Sequence, residues 1–372
     1  MLKRVLVVGG GIAGTCCAIQ LRKLGGEVDL VEIDPQWGVL GAGLTITGPT
    51  LRALNTIGVL DEIKASGATW SGGKAHNQQG ELLAELHTTP LSPELPATAG
   101  ILRPQLHKVL ADRTRASGTQ VRLGMTVQHV HGDDEQAEVT FSDGSTGCYD
   151  LVVGADGIYS TVRRLTFPGA PKPGFTGQVV YRMLAKRPAE VDRSYFYMGR
   201  DIKIGFSPIS STHMYMFLLH PSPTNPWVDP QDQPTRLHEM MEGFGGIVPQ
   251  IRATVLGENA ATVNYRPLET LLLPSPWWRG RVVLIGDASH ATTPHLASGA
   301  GMAIEDGIVL TEALQRHDVQ AALTAFEARR FERCAATVHN SVRLGQLEME
   351  HASPIEHGKL MDDALTLLRA PI

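Results

Sequence analysis

A short apolar run, Val5-Leu6-Val7-Val8, passes directly into Gly9-Gly10-Gly11-Ile12-Ala13-Gly14 and then into helix-compatible sequence. A second apolar run, Val28-Asp29-Leu30-Val31, ends on Glu32, eighteen residues beyond Gly14. Strand, glycine turn, helix, strand and terminal acid in this order are the βαβ signature of an adenine dinucleotide site. The residue types follow from the chemistry. Gly9 permits a tight turn, Gly11 removes a side chain where a pyrophosphate must approach the backbone, and Gly14 lets the helix pack closely on the sheet. The helix opened by Ile12 and Ala13 presents free N–H groups and the positive end of its dipole to the phosphates. Glu32 is placed to accept hydrogen bonds from a ribose hydroxyl. The unit leaves NAD and FAD equally open.

Composition narrows the class further. A chain of 372 residues with 42% hydrophobic content can bury a large core, and the length suggests two domains or one large interleaved unit. The net charge is −5 and no basic block is present, so nucleic acid and anionic membranes are not expected partners. Cys16, Cys17, Cys148 and Cys334 have neither CxxC nor metal-type spacing, which argues against a disulfide framework and a zinc site. The apolar run after Lys3 and Arg4 is too short for an export signal, which needs about 7–15 apolar residues. No stretch approaches the roughly 20 apolar residues that span a bilayer. A soluble cytoplasmic protein without metal is expected.

Along the chain, Leu51, Leu54, Ile57, Leu60 and Ile63 mark a helical stripe broken at Gly58 and closed at Gly67. A second helical pattern runs from Leu102 to Ala116, with Arg103 near its start. Stretches 120–131 and 136–142, with the turn Asp143-Gly144, read as strands of a small antiparallel insert. Leu151-Val152-Val153-Gly154 reads as a buried parallel strand. Between about 174 and 267, Val179–Leu184, Tyr195–Met198, Ile202–Phe206 and His213–Leu219 read as strands of a mostly antiparallel sheet, interrupted by one short helix near 233–243. The parallel-strand texture returns at Val282–Asp287, followed by helices over about 300–316 and from Val319 to Glu350.

The predicted fold class is therefore α/β: a Rossmann-like dinucleotide domain of discontinuous segments, an inserted mostly antiparallel-sheet domain and C-terminal helices. The expected division assigns 1–70, 98–173 and 268–318 to the dinucleotide domain. It assigns 71–97 and 174–267 to the substrate domain, and 319–372 to a C-terminal helical segment.

Two further motifs end parallel strands: Gly154-Ala155-Asp156-Gly157-Ile158-Tyr159-Ser160-Thr161-Val162-Arg163 and Gly286-Asp287-Ala288-Ser289-His290. Ligands of open α/β sheets sit at the carboxyl ends of strands, so all three motifs face one crevice. An Asp after a strand also reads as a helix cap. Taken with Glu32, the Gly41-Ala42-Gly43 turn and Arg103, the pattern resembles the single-component, group A FAD-dependent aromatic hydroxylases, the family of para-hydroxybenzoate hydroxylase. The resemblance covers nearly the whole chain and is closer to short members acting on heteroaromatic rings, of the urate hydroxylase type, than to those with an added C-terminal domain. It implies that Asp156 contacts the pyrophosphate region and supports NAD(P)H binding, that Asp287 holds the ribityl chain, and that Arg103 contacts FAD. Gly43, Gly286 and Gly299 join the cofactor-binding set. One departure stands just past the third motif, where relatives read Pro-x-x-Gly-Gln-Gly and this chain has Ser298 in place of the glutamine.

The implied reaction uses NADH or NADPH as a transient co-substrate and molecular oxygen, and hydroxylates an electron-rich aromatic or heteroaromatic ring through a flavin C4a-hydroperoxide. Ring deprotonation or anion stabilisation raises the electron density of the carbon attacked. By spacing, Tyr215 and Lys203 fall where urate-hydroxylase-like relatives place a tyrosine and an arginine that hold substrate, and His295 where such a relative carries an acid; the resemblance thus implies substrate hydrogen bonding for Tyr215, anion stabilisation for Lys203 and proton transfer or orientation for His295. Tyr215 also reads as a sheet packing residue and Lys203 as a solvated strand lysine. Arg182 reads as a substrate or flavin neighbour or a salt-bridge partner, Trp277 and Trp278 as a surface cap, and His76, His107 and His290 as structural. Two other activities fit the same motifs: a flavoprotein reductase or epoxidase acting on a non-aromatic substrate, and a non-catalytic FAD-binding protein. Relatives are often dimers, so a homodimer is among the expectations.

Overall fold

The computed structural model describes residues 2–39 and 41–372. Arg4–Val8, Glu27–Glu32, Leu151–Gly154 and Val282–Leu284 are nearly continuous apolar runs, as expected of parallel strands covered on both faces. They form the centre of a six-stranded sheet whose order is Trp278–Arg279, Val282–Leu284, Leu151–Gly154, Arg4–Val8, Glu27–Glu32 and Gln120–Leu123. Every pairing is parallel except that of Trp278–Arg279. The strand Gln120–Leu123 is a correction to the sequence reading, which placed it in the antiparallel insert. Its alternating polar and apolar residues suit an edge strand with one face toward water. The insert is the three-stranded meander Val127–Gly132, Ala137–Phe141 and Thr146–Tyr149, and Gly144 turns it at φ 81°.

The first helix, Ile12–Arg22, is buried along almost its whole length, pressed between this sheet and the helix Gly299–Arg316. Close approach depends on glycine. A Cβ at Gly307 would lie 2.9 Å from Cys17 Cα, and one at Gly14 only 1.9 Å from the Gly9 carbonyl oxygen. The predicted stripe over 51–64 is two helices, Gly48–Ile57 and Leu60–Ser66, separated by Gly58 in the left-handed region at φ 89°. Trp277 is also corrected: it lies fully inside the core with its indole N–H donating to the Leu273 carbonyl, not on the surface.

A seven-stranded sheet carries the second core, in the order Asn264–Thr270, Gly174–Lys186, His213–Pro221, Lys203–Pro208, Ser194–Met198, Gly73–Asn77 and Leu82–Leu86. On one face Met183, Met214, Met216, Ile204 and Phe206 pack beneath the helices Gln233–Met240 and Val248–Val255. The sequence reading missed the second of these helices. Alternation along the same strands turns Gln178, Val180, Arg182, Lys203, Tyr215, Phe217 and Leu219 to the other face. The helix Val319–Met349 runs from the first core, where Phe326 is buried, to this second face, and Pro354–Arg369 folds back against it.

Candidate active site

The three motifs meet at the carboxyl ends of three adjacent strands. The Gly9 N–H donates to the Val31 carbonyl (2.8 Å), and the Ala155 N–H donates to the Val8 carbonyl (2.8 Å). Gly9 has φ 106°, and a Cβ on it would lie 2.5 Å from the Ala155 carbonyl oxygen, so the first turn lies directly on the second motif. A Cβ on Gly286 would meet that of Ala13 at 2.8 Å, which brings the third motif against the first. At Gly11 an added Cβ meets no atom within 4 Å, so this glycine faces open space while its neighbours are tightly packed. Ile12 and Ala13 open the helix, and Ile12 packs against the core formed around Leu51 and Ile304. These features fit an extended dinucleotide laid along the strand ends, with its phosphates at the Gly11 turn.

The acids are used in different ways. Glu32 accepts from the Gly10 N–H (2.6 Å) with one oxygen and the Asp34 N–H (2.9 Å) with the other, so it also holds the glycine turn in place. The Gly10 carbonyl in turn accepts from Trp37 Nε1 (2.9 Å) and His107 Nε2 (3.0 Å). Asp156 accepts from the N–H groups of Thr161 (2.6 Å) and Val162 (3.0 Å) and from the Ser160 hydroxyl. It therefore braces the start of the helix Thr161–Thr166, while burial pushes its carboxyl up. Arg163 from the same motif donates to the Ala288 carbonyl (2.8 Å) and ties the second motif to the third.

Asp287 stands open to the crevice at the end of Val282–Leu284. Burial of its surroundings raises its pKa, opposed by the nearby charges of His290 and Arg103. Arg103 starts the helix Arg103–Ala116, its N–H donates to the Ala42 carbonyl (3.0 Å), and its Cδ lies 3.0 Å from where a Cβ on Gly41 would be. Burial lowers the Arg103 pKa, with the Asp287 charge opposing and those of Arg182 and Arg266 adding. A guanidinium without a carboxylate in ion-pair range among the described residues, with the Asp287 charge nearby, suits a ligand bearing both anionic and hydroxyl groups.

Beneath Asp287 lies a fully buried ion network that the sequence reading missed. Asp306 accepts from the Gly286 N–H (2.8 Å) and Arg330 Nε (2.8 Å), and pairs with His290 Nε2 (2.6 Å). Arg330 also pairs with Glu305 (2.7 Å), which Arg333 holds as well (3.0 Å). The signal was present: the adjacent acids Glu305 and Asp306 interrupt the apolar first half of one helix, and Arg330 and Arg333 stand one turn apart in the next.

The remaining residues gather on the second sheet face. Arg182 Nε donates to the Tyr215 hydroxyl (3.2 Å), and a Cβ on Gly43 would lie 2.5 Å from Tyr215 Cβ, so Gly43 admits the tyrosine rather than presenting a side chain to a ligand. Lys203 forms an ion pair with Glu348, whose second oxygen lies 3.4 Å from His295 Nε2. Lys203 is therefore not the solvated strand lysine of the alternative reading. His295 is buried, its Nδ1 hydrogen-bonded to the Thr293 hydroxyl (3.0 Å). Ser298 is buried too and donates to the Leu296 carbonyl (2.7 Å), and it precedes Gly299 at the start of the helix Gly299–Arg316. Its hydroxyl thus stays within its own turn, where the usual glutamine would extend further.

Residues 3–341 match the model of the FAD binding domain family. The chain belongs to this family of FAD-dependent monooxygenases. It is 32% identical over 313 residues to the 2-heptyl-3-hydroxy-4(1H)-quinolone synthase of Pseudomonas aeruginosa, covering 82% of this chain and 79% of that protein. It is 30% identical over 363 residues to the 3-amino-4-hydroxybenzoate 2-monooxygenase of Streptomyces cremeus, covering 92% and 87%. Among solved structures, HpxO of Klebsiella pneumoniae complexed with FAD and uric acid superposes with a TM-score of 0.85 at 23% identity, covering 99% of this chain and 93% of that one, which shows a shared fold. The group A flavin hydroxylase recognised in the motifs is thereby established, as is FAD as cofactor. Among the described residues no helix is long and apolar enough to cross a membrane.

Proposed function

We propose that this enzyme hydroxylates an electron-rich aromatic or heteroaromatic ring, with NAD(P)H and O2 as co-substrates, releasing NAD(P)+, water and the ring bearing one new hydroxyl. The observation that carries this reading is the second sheet face: Tyr215, Arg182 and Lys203 stand on one side of it, against the Gly43 strand and the turn holding His295. Held at the Gly11 turn and between Asp287 and Arg103, FAD would supply an electrophilic oxygen drawn from O2 with electrons from NAD(P)H. The chain's own residues seat the ring and exclude water. Because the Tyr215 hydroxyl accepts from Arg182, its own hydrogen is free to donate to a ring oxygen or nitrogen. Val180, Phe217 and Leu219 supply the apolar surface between the polar groups. His295 turns its two nitrogens toward Thr293 and Glu348, which favours orientation over proton transfer as its part. Names of relatives carrying quinolone and hydroxybenzoate rings support a ring substrate with an oxygen substituent.

The test is a panel of phenols, hydroxypyridines, purines, quinolones and aromatic acids presented to the yellow, FAD-loaded protein under isotopically labelled oxygen. The expected result is ring-stimulated NAD(P)H oxidation with one labelled atom in the product. Flavin-loaded protein that no ring stimulates would contradict the reading, and oxygenation of an isoprenoid or other non-aromatic carbon would favour an epoxidase instead.

A further inference from the structure

The second sheet face has two polar ends and an apolar middle. Tyr215 and Leu219 are four residues apart on one strand, about 14 Å at the usual strand rise. Tyr215 with Arg182 marks one end, and Lys203, opposite Leu219, marks the other. The two ends differ in charge. Arg182 has no carboxylate partner among the described residues, whereas Lys203 is closed by Glu348.

Glu348 reaches this place from the last turn of Val319–Met349, and four separate elements converge on it. Besides Lys203, its oxygens lie 3.4 Å from His295 Nε2, 3.5 Å from His357 Nε2 and 3.4 Å from Gln178 Nε2. Gly345, one turn earlier, lets the helix backbone close on the cluster: a Cβ there would lie 2.5 Å from Gln178 Oε1 and 2.8 Å from His295 Cε1. Burial alone would push the Glu348 carboxyl up, but the Lys203 charge and the neighbouring His295 and His357 hold it well below the usual carboxylate range. Burial lowers the His295 pKa, so this imidazole is neutral near pH 7. Lys203 and Glu348 form the ion pair at the centre of the cluster.

We propose that Glu348 is a specificity-determining residue of the substrate chamber: by closing Lys203 as an ion pair, it leaves Arg182 and Arg266 as the cations of the face without a carboxylate partner among the described residues, so that an acidic substituent of the ring is directed to the arginines and refused at the Lys203 end. This rests on the reading of the face as the ring-binding surface. A carboxylate entering beside Lys203 meets the Glu348 charge at close range in a poorly hydrated site, where like charges are costly. An uncharged carbonyl or ring N–H meets no such cost.

The test is titration of the FAD-loaded protein with 2-hydroxybenzoate and with 2-hydroxybenzamide, followed by the flavin absorbance change. In Glu348→Gln the affinity for the carboxylate, relative to the amide, is expected to rise about tenfold because Lys203 is released. Glu348→Asp, which keeps the charge, retains the wild-type ratio. The Lys203→Gln, Glu348→Gln double variant loses the gain, because no released cation remains. An unchanged ratio in Glu348→Gln while the wild type binds both probes, or a gain that survives in the double variant, overturns the proposal alone. A wild type that holds FAD but responds to neither probe nor any ring of the panel overturns the reading of the chamber, and the proposal with it.

Discussion

At the scale of single residues, Asp306 has the widest reach, because one buried carboxylate holds the Gly286 N–H, Arg330 and His290 together. Removing one partner of a buried ion group leaves the others uncompensated, a loss of about 3–5 kcal/mol. Asp306→Asn is therefore expected to lower the unfolding free energy by that amount and to weaken FAD retention, since Asp287 follows the Gly286 turn. Chemical denaturation with flavin release followed in parallel checks both. The network also gives a pH dependence. Burial lowers the His290 pKa, but the charges of Cys334 and Asp306 outweigh it and raise the group well above 6.5. A raised histidine contributes stability in full below its unfolded value and loses it as pH rises through the folded one. The gap in melting temperature between wild type and His290→Gln should thus be widest below pH 6.5 and narrow in alkali. For Glu348 the sign is opposite: its contribution is complete above the ordinary 4.5 and falls away as pH drops toward the much lower folded value. Glu348→Gln should accordingly approach wild-type stability only in acid.

At the scale of elements, glycine decides where helices can cross. Ala at Gly345 would gain about 0.5–1 kcal/mol of helix propensity. The contacts with Gln178 and His295 would cost more, about 1–3 kcal/mol as overpacking usually does. Gly345→Ala is expected to lower the melting temperature slightly and to impair ring binding while leaving FAD bound, which ligand titration and the flavin spectrum would separate. The elements themselves were unequally legible. Strands such as Leu151–Gly154 announced themselves as unbroken apolar runs, and the three glycine motifs placed the dinucleotide crevice. Gln120–Leu123 was assigned to the wrong sheet because an exposed edge strand of a parallel sheet alternates like an antiparallel one. The helix Val248–Val255 is short and carries a proline at its start, so periodicity had little to work on. Lys203 and Tyr215 could be singled out, but the partner of Lys203 lies 145 residues away, and no local pattern ties Glu348 to it. Glu305 and Arg330 stand out within their own helices, but nothing local ties the acid of one to the arginine of the other.

At the scale of the molecule, the cofactor crevice is assembled from segments far apart in sequence, so the ligand that fills it stabilises all of them at once. FAD at a hundred times its dissociation constant adds about 2.7 kcal/mol. With the unfolding entropy of a chain this long, that is about 3 °C in melting temperature. Stripping the flavin should lower the melting point by about that much and restoring FAD should recover it, as scanning calorimetry would show. The helix Val319–Met349 is 31 residues long, about 46 Å, and it is fastened at two places: Arg330 and Arg333 secure it beneath the flavin motifs, and Glu348 secures its end to the second sheet. The two fastenings are about 27 Å apart and share no residue. Its terminal turn is therefore a module that can be exchanged. Exchanging that turn alone between enzymes of this kind is expected to move ring preference from one to the other while the flavin keeps its seat.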